Sequence, residues 1–247
     1  MSPARPTRAA AVIVAAGASS RFLRGARAGE TQPRKPFLPL CGRTVLELCC
    51  SAFDAVEGVR EIVLVVRSED LEATERLRRS SSALRKVAAL VEGGEERTDS
   101  VRAGVEALAR EVELIAVHDA ARPLIEPRTI EAALRVAARA GAALVATPVR
   151  DTIKTSATGE KAESTLDRSV LWAAQTPQVF RSALLRELLE RALAEGLKPT
   201  DEAALHERFV GPIPIVEGEP TNLKITTPGD LVLAEAILRE RRENERR

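Results

Sequence analysis

The sequence predicts an α/β fold in which a mainly parallel sheet is flanked by helices, as one domain over 1–247. Short apolar runs rich in β-branched residues recur at 12–14, 62–66, 87–91, 114–117 and 143–147. Runs that are continuous rather than alternating mark strands buried on both faces, as in parallel sheets. Amphipathic stretches of helical spacing lie between them, and that alternation favours crossover units over hairpins. Glycines and charged residues gather just after the strands, where an α/β sheet places its ligands.

The first run leads through Ala15 and Ala16 into Gly17 and then into a basic stretch with Arg21, Arg24, Arg27, Arg34 and Lys35. Exposed backbone N–H groups followed by cations suit a polyanion such as a nucleoside triphosphate. Two well-known glycine loops are excluded. Ser19 stands where the dinucleotide fingerprint needs its second glycine, and Phe22 and Leu23 replace the Gly-Lys of a P-loop. An ordinary strand-to-loop turn with a solvated basic loop stays open as the alternative. Further on, Cys41-Gly42 makes a turn, and Thr44 with Glu47 forms a capping box for a helix that Gly58 ends. Ser68 caps a helix over 69–79, and the segment after Gly93-Gly94 opens a helix through Leu108. Pro127 takes the first position of the next helix.

From 149 to 168 the rhythm breaks. Polar and β-branched residues surround a Thr158-Gly159 turn, which reads as a hairpin with too little apolar content to pack alone. It either moves freely or packs on another subunit, and the second is the expectation. The chain returns through 171–180 to a helix ending near Gly196. Thr200 then caps a short helix with acids in its first turn. Late strands are expected at 213–216 and 223–226. A last helix follows over 231–238, capped from Thr227, with a charged tail that frays.

Composition narrows the function. A net charge of +1 disfavours a dedicated nucleic-acid binder, so any anion site comes from local clustering. Aromatic residues are 2%, which disfavours base-stacking platforms. The three cysteines, Cys41, Cys49 and Cys50, form no even framework and fit a reducing cytoplasm, with Cys49 and Cys50 as core filler. Arg5 and Arg8 ahead of alanines loosely match a signal peptide, yet those alanines make a better first strand. No run approaches the roughly 20 apolar residues of a membrane span. The two histidines, His118 read as near-core and His206 as helix surface, give no hydrolytic triad. Asp119 has two readings: a loop salt bridge with Arg122, or a carboxylate facing Mg2+ or a substrate hydroxyl.

The AAG-x-x-x-R start, GG-E-x-R-x-DSV, VHDAARP, PVRDTIK, LDR-x-x-LW, QTPQ-x-F, TDEA and NLKIT-x-P-x-D-L follow in order over nearly the whole chain. Together they resemble the methylerythritol phosphate cytidylyltransferase family. The resemblance implies a Rossmann-like three-layer domain whose β-arm, about 149–168, pairs two subunits into a homodimer. It implies CTP and methylerythritol phosphate as substrates and Mg2+ held mainly by substrate phosphates, with Asp119 as the protein carboxylate that could join it. Ala15, Ala16, Gly17 and Ala18 would wrap the CTP phosphates and ribose, while Gly94, Glu95 and Ser100 read cytosine. Asp119, Ala120 and Arg122 would lie between the substrates, so Asp119 contacts both. Thr152 and Arg168 would reach from the arm into the partner's site, and Thr176, Thr200 and Lys224 complete the sugar-phosphate pocket. Arg21, Lys35, Arg168 and Lys224 would then be the catalytic cations. The sequence departs from the pattern between Gly17 and Lys35, where an Arg/Gly/Ala-rich insert at 24–30 lengthens the gap and Pro36 follows the lysine. Arg34 is therefore a rival to Lys35, and the insert is either a lid or a species-specific loop. The rival functions are transfer to another sugar phosphate, which Arg168 and Lys224 disfavour, and a non-catalytic nucleotide sensor, which needs neither. A nucleotide-sugar glycosyltransferase lacks support, because no D-x-D occurs.

Overall fold

The structure is a computed structural model and describes residues 8–17 and 34–245. Ala18, Arg21 and the 24–30 insert, singled out in the sequence, lie outside the described residues. The chain opens with β1 (Ala9–Val14) and resumes in a short 3-10 turn (Lys35–Phe37). The small antiparallel pair β2 (Pro39–Leu40) and β3 (Arg43–Thr44) turns, as expected, through Cys41 and Gly42, both at positive φ. α1 (Val45–Asp54) carries the expected capping box: Thr44 accepts from the Glu47 N–H while the Glu47 carboxylate accepts from the Thr44 N–H. Then follow β4 (Val59–Val66), α2 (Leu71–Ser80), β5 (Val87–Glu92), α3 (Arg97–Glu106), β6 (Leu114–Asp119), α4 (Pro127–Ala140) and β7 (Ala142–Pro148).

Two later strands, β10 (Trp172–Arg181) and β11 (Ile215–Glu217), complete a seven-stranded sheet in the order β11-β7-β10-β6-β1-β4-β5. β10 is antiparallel to both β6 and β7, while β11, β1, β4 and β5 each lie parallel to their neighbours. β1 at the centre is buried on both faces. Ala11 and Ile13 join one core with Phe53 of α1 and Ile130 of α4. Ala10 and Val12 join the other with Val101 of α3 and Leu188 of α5 (Ser182–Ala194). This explains the unbroken apolar runs of the sequence, since neither face of the strand meets water. α3 seats against the sheet through Gly104, where a Cβ would stand 2.5 Å from Val12 and 2.8 Å from Val65.

The hairpin at 149–168 is present as β8 (Lys154–Thr155) paired with β9 (Ser164–Thr165), with Gly159 at positive φ near its tip. Several expectations need correcting. Ser68 caps nothing: it opens a 3-10 turn, and Asp70 is the N-cap of α2. Asp201, not Thr200, caps α6 (Glu202–Phe209), accepting from the Ala204 N–H, and Thr200 is exposed. Residues 223–226 form no strand; Ile225 is buried beside Leu38 and Leu40 as part of a docked loop. α3 ends at Glu106 rather than Leu108. The charged tail does not fray early, since α7 (Pro228–Glu245) continues through it. His206 is buried, with its Nδ1 against the Gly211 carbonyl and its ring beside Phe180.

Candidate active site

A cavity of about 530 Å3 opens where β1, β5 and β6 end. The turn after β1 contributes Ala15, Ala16 and Gly17, the β5 loop contributes Gly93, Gly94 and Glu95, and α3 contributes Ser100. Asp119 and Ala120 line it from the end of β6, and Lys35 and Lys224 close it from loops outside the sheet. The close fit of the β5 loop on the β1 turn requires Gly93, where a Cβ would lie 2.4 Å from the Ala16 Cβ and 2.7 Å from the Ser100 Oγ. In the sequence the Gly93-Gly94 pair signals close backbone approach, with the base assigned to Gly94; the approach to the β1 turn falls on Gly93. Gly94 serves the start of α3, where a Cβ would lie 2.4 Å from that of Asp99, which forms a capping box with Glu96.

Charge in the cavity is arranged around Asp119, which is 8% exposed. Its Oδ2 accepts from Lys224 Nζ at 2.6 Å and its Oδ1 from Arg97 Nε at 3.2 Å. Burial works to raise the Asp119 pKa, but the charges of Arg97 and Lys224 outweigh it and hold the carboxyl well below the usual range. Of the two readings of Asp119, the salt bridge with Arg122 does not form. Arg122 instead donates to the carbonyls of Asn222 at 2.8 Å and Ala174 at 3.3 Å, away from the cavity. Behind Asp119, its backbone N–H donates to Thr176 Oγ1 at 3.1 Å, so Thr176 supports the site from beneath. Arg97 and Glu202 were missed as site residues, although both stand inside quoted motifs.

Lys35 lines the cavity, its Nζ 3.4 Å from the Ile225 carbonyl, whereas Arg34 turns to Glu69 at 2.6 Å and Asp70 at 3.4 Å. Thr152 and Arg168 stay on the arm, both exposed, and Arg168 donates to the Arg150 carbonyl at 2.9 Å. Neither arm residue lines this cavity, nor does Thr200. Among the described residues no group of three or more His, Cys, Asp or Glu could hold a metal ion. No helix among them is long and apolar enough to cross a membrane.

The profile of the family described as IspD, 2-C-methyl-D-erythritol 4-phosphate cytidylyltransferase, matches residues 9–240. The chain belongs to this family. A curated IspD relative from Pelotomaculum thermopropionicum is 41% identical over 95% of each chain. One from Geobacillus kaustophilus is 42% identical over 94% of this chain and 97% of its own. Among solved structures, the 4-diphosphocytidyl-2C-methyl-D-erythritol synthase of Anaerococcus prevotii superposes with a TM-score of 0.79 at 28% identity, covering 95% and 97% of the two chains. The cytidylyltransferase of Thermus thermophilus superposes with a TM-score of 0.73 at 34% identity, covering 93% and 98%. The IspD fold is thus the α/β sheet described above, and the cavity sits at the rim where its parallel strands end.

Proposed function

We propose that the chain, as a single nucleotidyltransferase domain with an arm at about 149–168, joins CTP to 2-C-methyl-D-erythritol 4-phosphate. The products are 4-diphosphocytidyl-2-C-methyl-D-erythritol and pyrophosphate. The observation that carries this reading is the convergence of the Ala15–Gly17 turn, Lys35, Gly94 and the Asp119–Lys224 pair on one cavity. A phosphate oxygen of the sugar phosphate attacks the α-phosphorus in line; the new P–O bond forms as the bond to the β-phosphate oxygen breaks and pyrophosphate leaves. The attacking oxygen is already ionised at neutral pH, so the site needs no general base. It needs alignment and positive charge, because two anions must meet.

In this reading the β1 turn wraps the triphosphate with backbone groups, and Lys35 and Arg21 stabilise its growing charge. Gly94, Glu95 and Ser100 face the base. Lys224 receives the sugar phosphate beside Asp119, and Arg168 of a second subunit aims it, with Thr152 beside it on the arm. Thr176 serves by holding the Asp119 backbone, and Arg122 by fixing the Asn222 loop that leads to Lys224. A protein cage for Mg2+ does not fit a site whose buried carboxylate, Asp119, already carries two cations. An ion carried on the substrate phosphates, with Asp119 alongside, does fit. It would supply charge neutralisation of the triphosphate. Pairing of two arms into a homodimer is supported by Leu166, Val170 and Trp172, large apolar side chains left exposed next to the hairpin. The free cysteines support a reducing cytoplasm.

The test is pyrophosphate release on mixing the protein with CTP, Mg2+ and methylerythritol phosphate. Release that needs both substrates is expected. Equal turnover with UTP or ATP would defeat cytidylyl transfer, and indifference to the sugar phosphate would defeat the acceptor.

A further inference from the structure

Glu202 is wholly buried, at 0% exposure, and no step above uses it. A carboxylate with no access to water is costly unless it is paired. Here both of its oxygens accept from Arg97 Nη1, at 2.7 and 2.9 Å. The pairing is charge-assisted and short, as between a carboxylate and a guanidinium. Arg97 then reaches with a different nitrogen, Nε, to Asp119 Oδ1 at 3.2 Å. The other Asp119 oxygen holds Lys224 at 2.6 Å. Four charges of alternating sign thus form a chain that runs from the start of α6, through α3 and the end of β6, to the loop carrying Lys224.

The far end of that chain is rigidly fixed. Asp201 caps α6 by accepting from the Ala204 N–H at 3.0 Å. Gln178 of β10 accepts from the Ala203 N–H at 2.8 Å and donates to Asp201 at 2.8 Å. The first turn of α6 is therefore tied to the sheet on both sides of Glu202, which leaves Arg97 to adapt to Glu202 and not the reverse. Only a side chain with donors on separate nitrogens can then satisfy Glu202 and still reach Asp119.

We infer that Arg97, gripped by Glu202, is a positioning residue for the transfer, fixing the Asp119 carboxylate and through it the Lys224 ammonium where the sugar phosphate is received. The inference rests on the reading of the site given above. It acts in two ways. Held at one oxygen, Asp119 cannot swing together with Lys224, so the cation stays aligned with the incoming phosphate. And because Arg97 shares the Asp119 charge, Lys224 keeps positive potential that an unshared carboxylate would cancel. The loss should therefore fall on the sugar phosphate and much less on CTP.

The decisive variant is Arg97→Lys, which keeps the charge but offers a single nitrogen. We expect a folded protein whose KM for methylerythritol phosphate rises roughly tenfold and whose kcat/KM for it falls roughly a hundredfold, while KM for CTP stays within about threefold. Glu202→Gln should give the same split, smaller in size. The paired variant Arg97→Gln with Glu202→Gln removes the buried charges together. A merely structural pair predicts that this double change restores parental kinetics along with the fold; a positioning role predicts a restored fold and a KM for the sugar phosphate that stays high. Parental kinetics in Arg97→Lys or in the double variant, an equal loss for both substrates, or failure of every variant to fold would each overturn the inference. An unmutated protein that releases no pyrophosphate would instead overturn the proposed function itself.

Discussion

Lys35 and Arg34 are adjacent cations at the end of the stretch that leads back from the Ala15–Gly17 turn, and sequence spacing leaves them as rivals. Their surroundings separate them. Arg34 is held by Glu69 and Asp70, and the hydrogen bond to Glu69 is the main reason its pKa is raised, so its charge is already neutralised. Lys35 lines the cavity. Replacing Lys35 with Ala should lower kcat by about 10²–10³, the range for losing one preorganised donor to a transition-state anion. Replacing Arg34 with Ala should change it by no more than about threefold, since half-exposed ion pairs contribute little. Steady-state pyrophosphate release on the two variants checks both; a larger loss at Arg34 would reverse the assignment. Single motif residues such as Gly17, Asp119 and Lys224 were legible because each stands at a strand end or in a motif the resemblance covers. The Arg97–Glu202 contact was not, because it joins residues 105 positions apart whose motifs give no hint that they meet.

At the scale of elements, unbroken apolar runs mark most of the sheet plainly in the sequence, and β10 carries no such mark. Its Pro177 counts against a strand, because proline cannot donate to a ladder. The structure places that proline where the pairing with β7 shifts register between Ala174 and Gln178, so no ladder bond is lost. In the same bulge Thr176 ties β10 to β6. The Arg122 carbonyl can only accept, so His118 Nε2 donates to it at 3.1 Å. Nδ1 then accepts from the Thr176 hydroxyl at 2.9 Å, and that oxygen accepts from the Asp119 N–H. This relay needs a neutral imidazole. Burial lowers the His118 pKa to about 4, against the pull of its hydrogen-bonded neighbours. Unfolding restores an ordinary value near 6.5. Between those values the unfolded chain binds more protons, so this stability is present above about pH 6.5 and drains away as pH falls toward 4. Urea titrations should show a loss of about 2 kcal/mol from pH 7 to pH 5. Asp119 adds nothing in that window, because its unfolded value lies lower still, near 3.9. A His118→Asn variant should show a flatter slope; an unchanged slope would assign the loss to another group.

At the scale of the molecule, a near-neutral chain gathers fixed cations at one rim, yet Arg168 lies outside the cavity it is proposed to serve. The arm explains this if each site is completed by the neighbouring subunit. Its two short strands carry only polar pairs, Lys154 with Thr165 and Thr155 with Ser164, so the hairpin gains little from packing on its own protomer. Its polar character, and with it the expectation that it packs on another subunit, was legible in the sequence; which residues it would meet there was not, because contacts between copies would leave no periodic pattern along one chain. The proposed pairing has an arithmetic consequence. Lys35→Ala and Arg168→Ala homodimers are each expected to be inactive, since every site lacks one cation. After subunit exchange at equal concentrations, about half the dimers are mixed in a two-fold assembly. Each mixed dimer has one site missing both cations and one site with both intact. Roughly a quarter of all sites should then recover, and pyrophosphate release should rise to about a quarter of the parental rate. If Arg168 instead served its own subunit, every site in the mixture would still lack one cation. The rate would then stay at the level of the separate variants however complete the exchange.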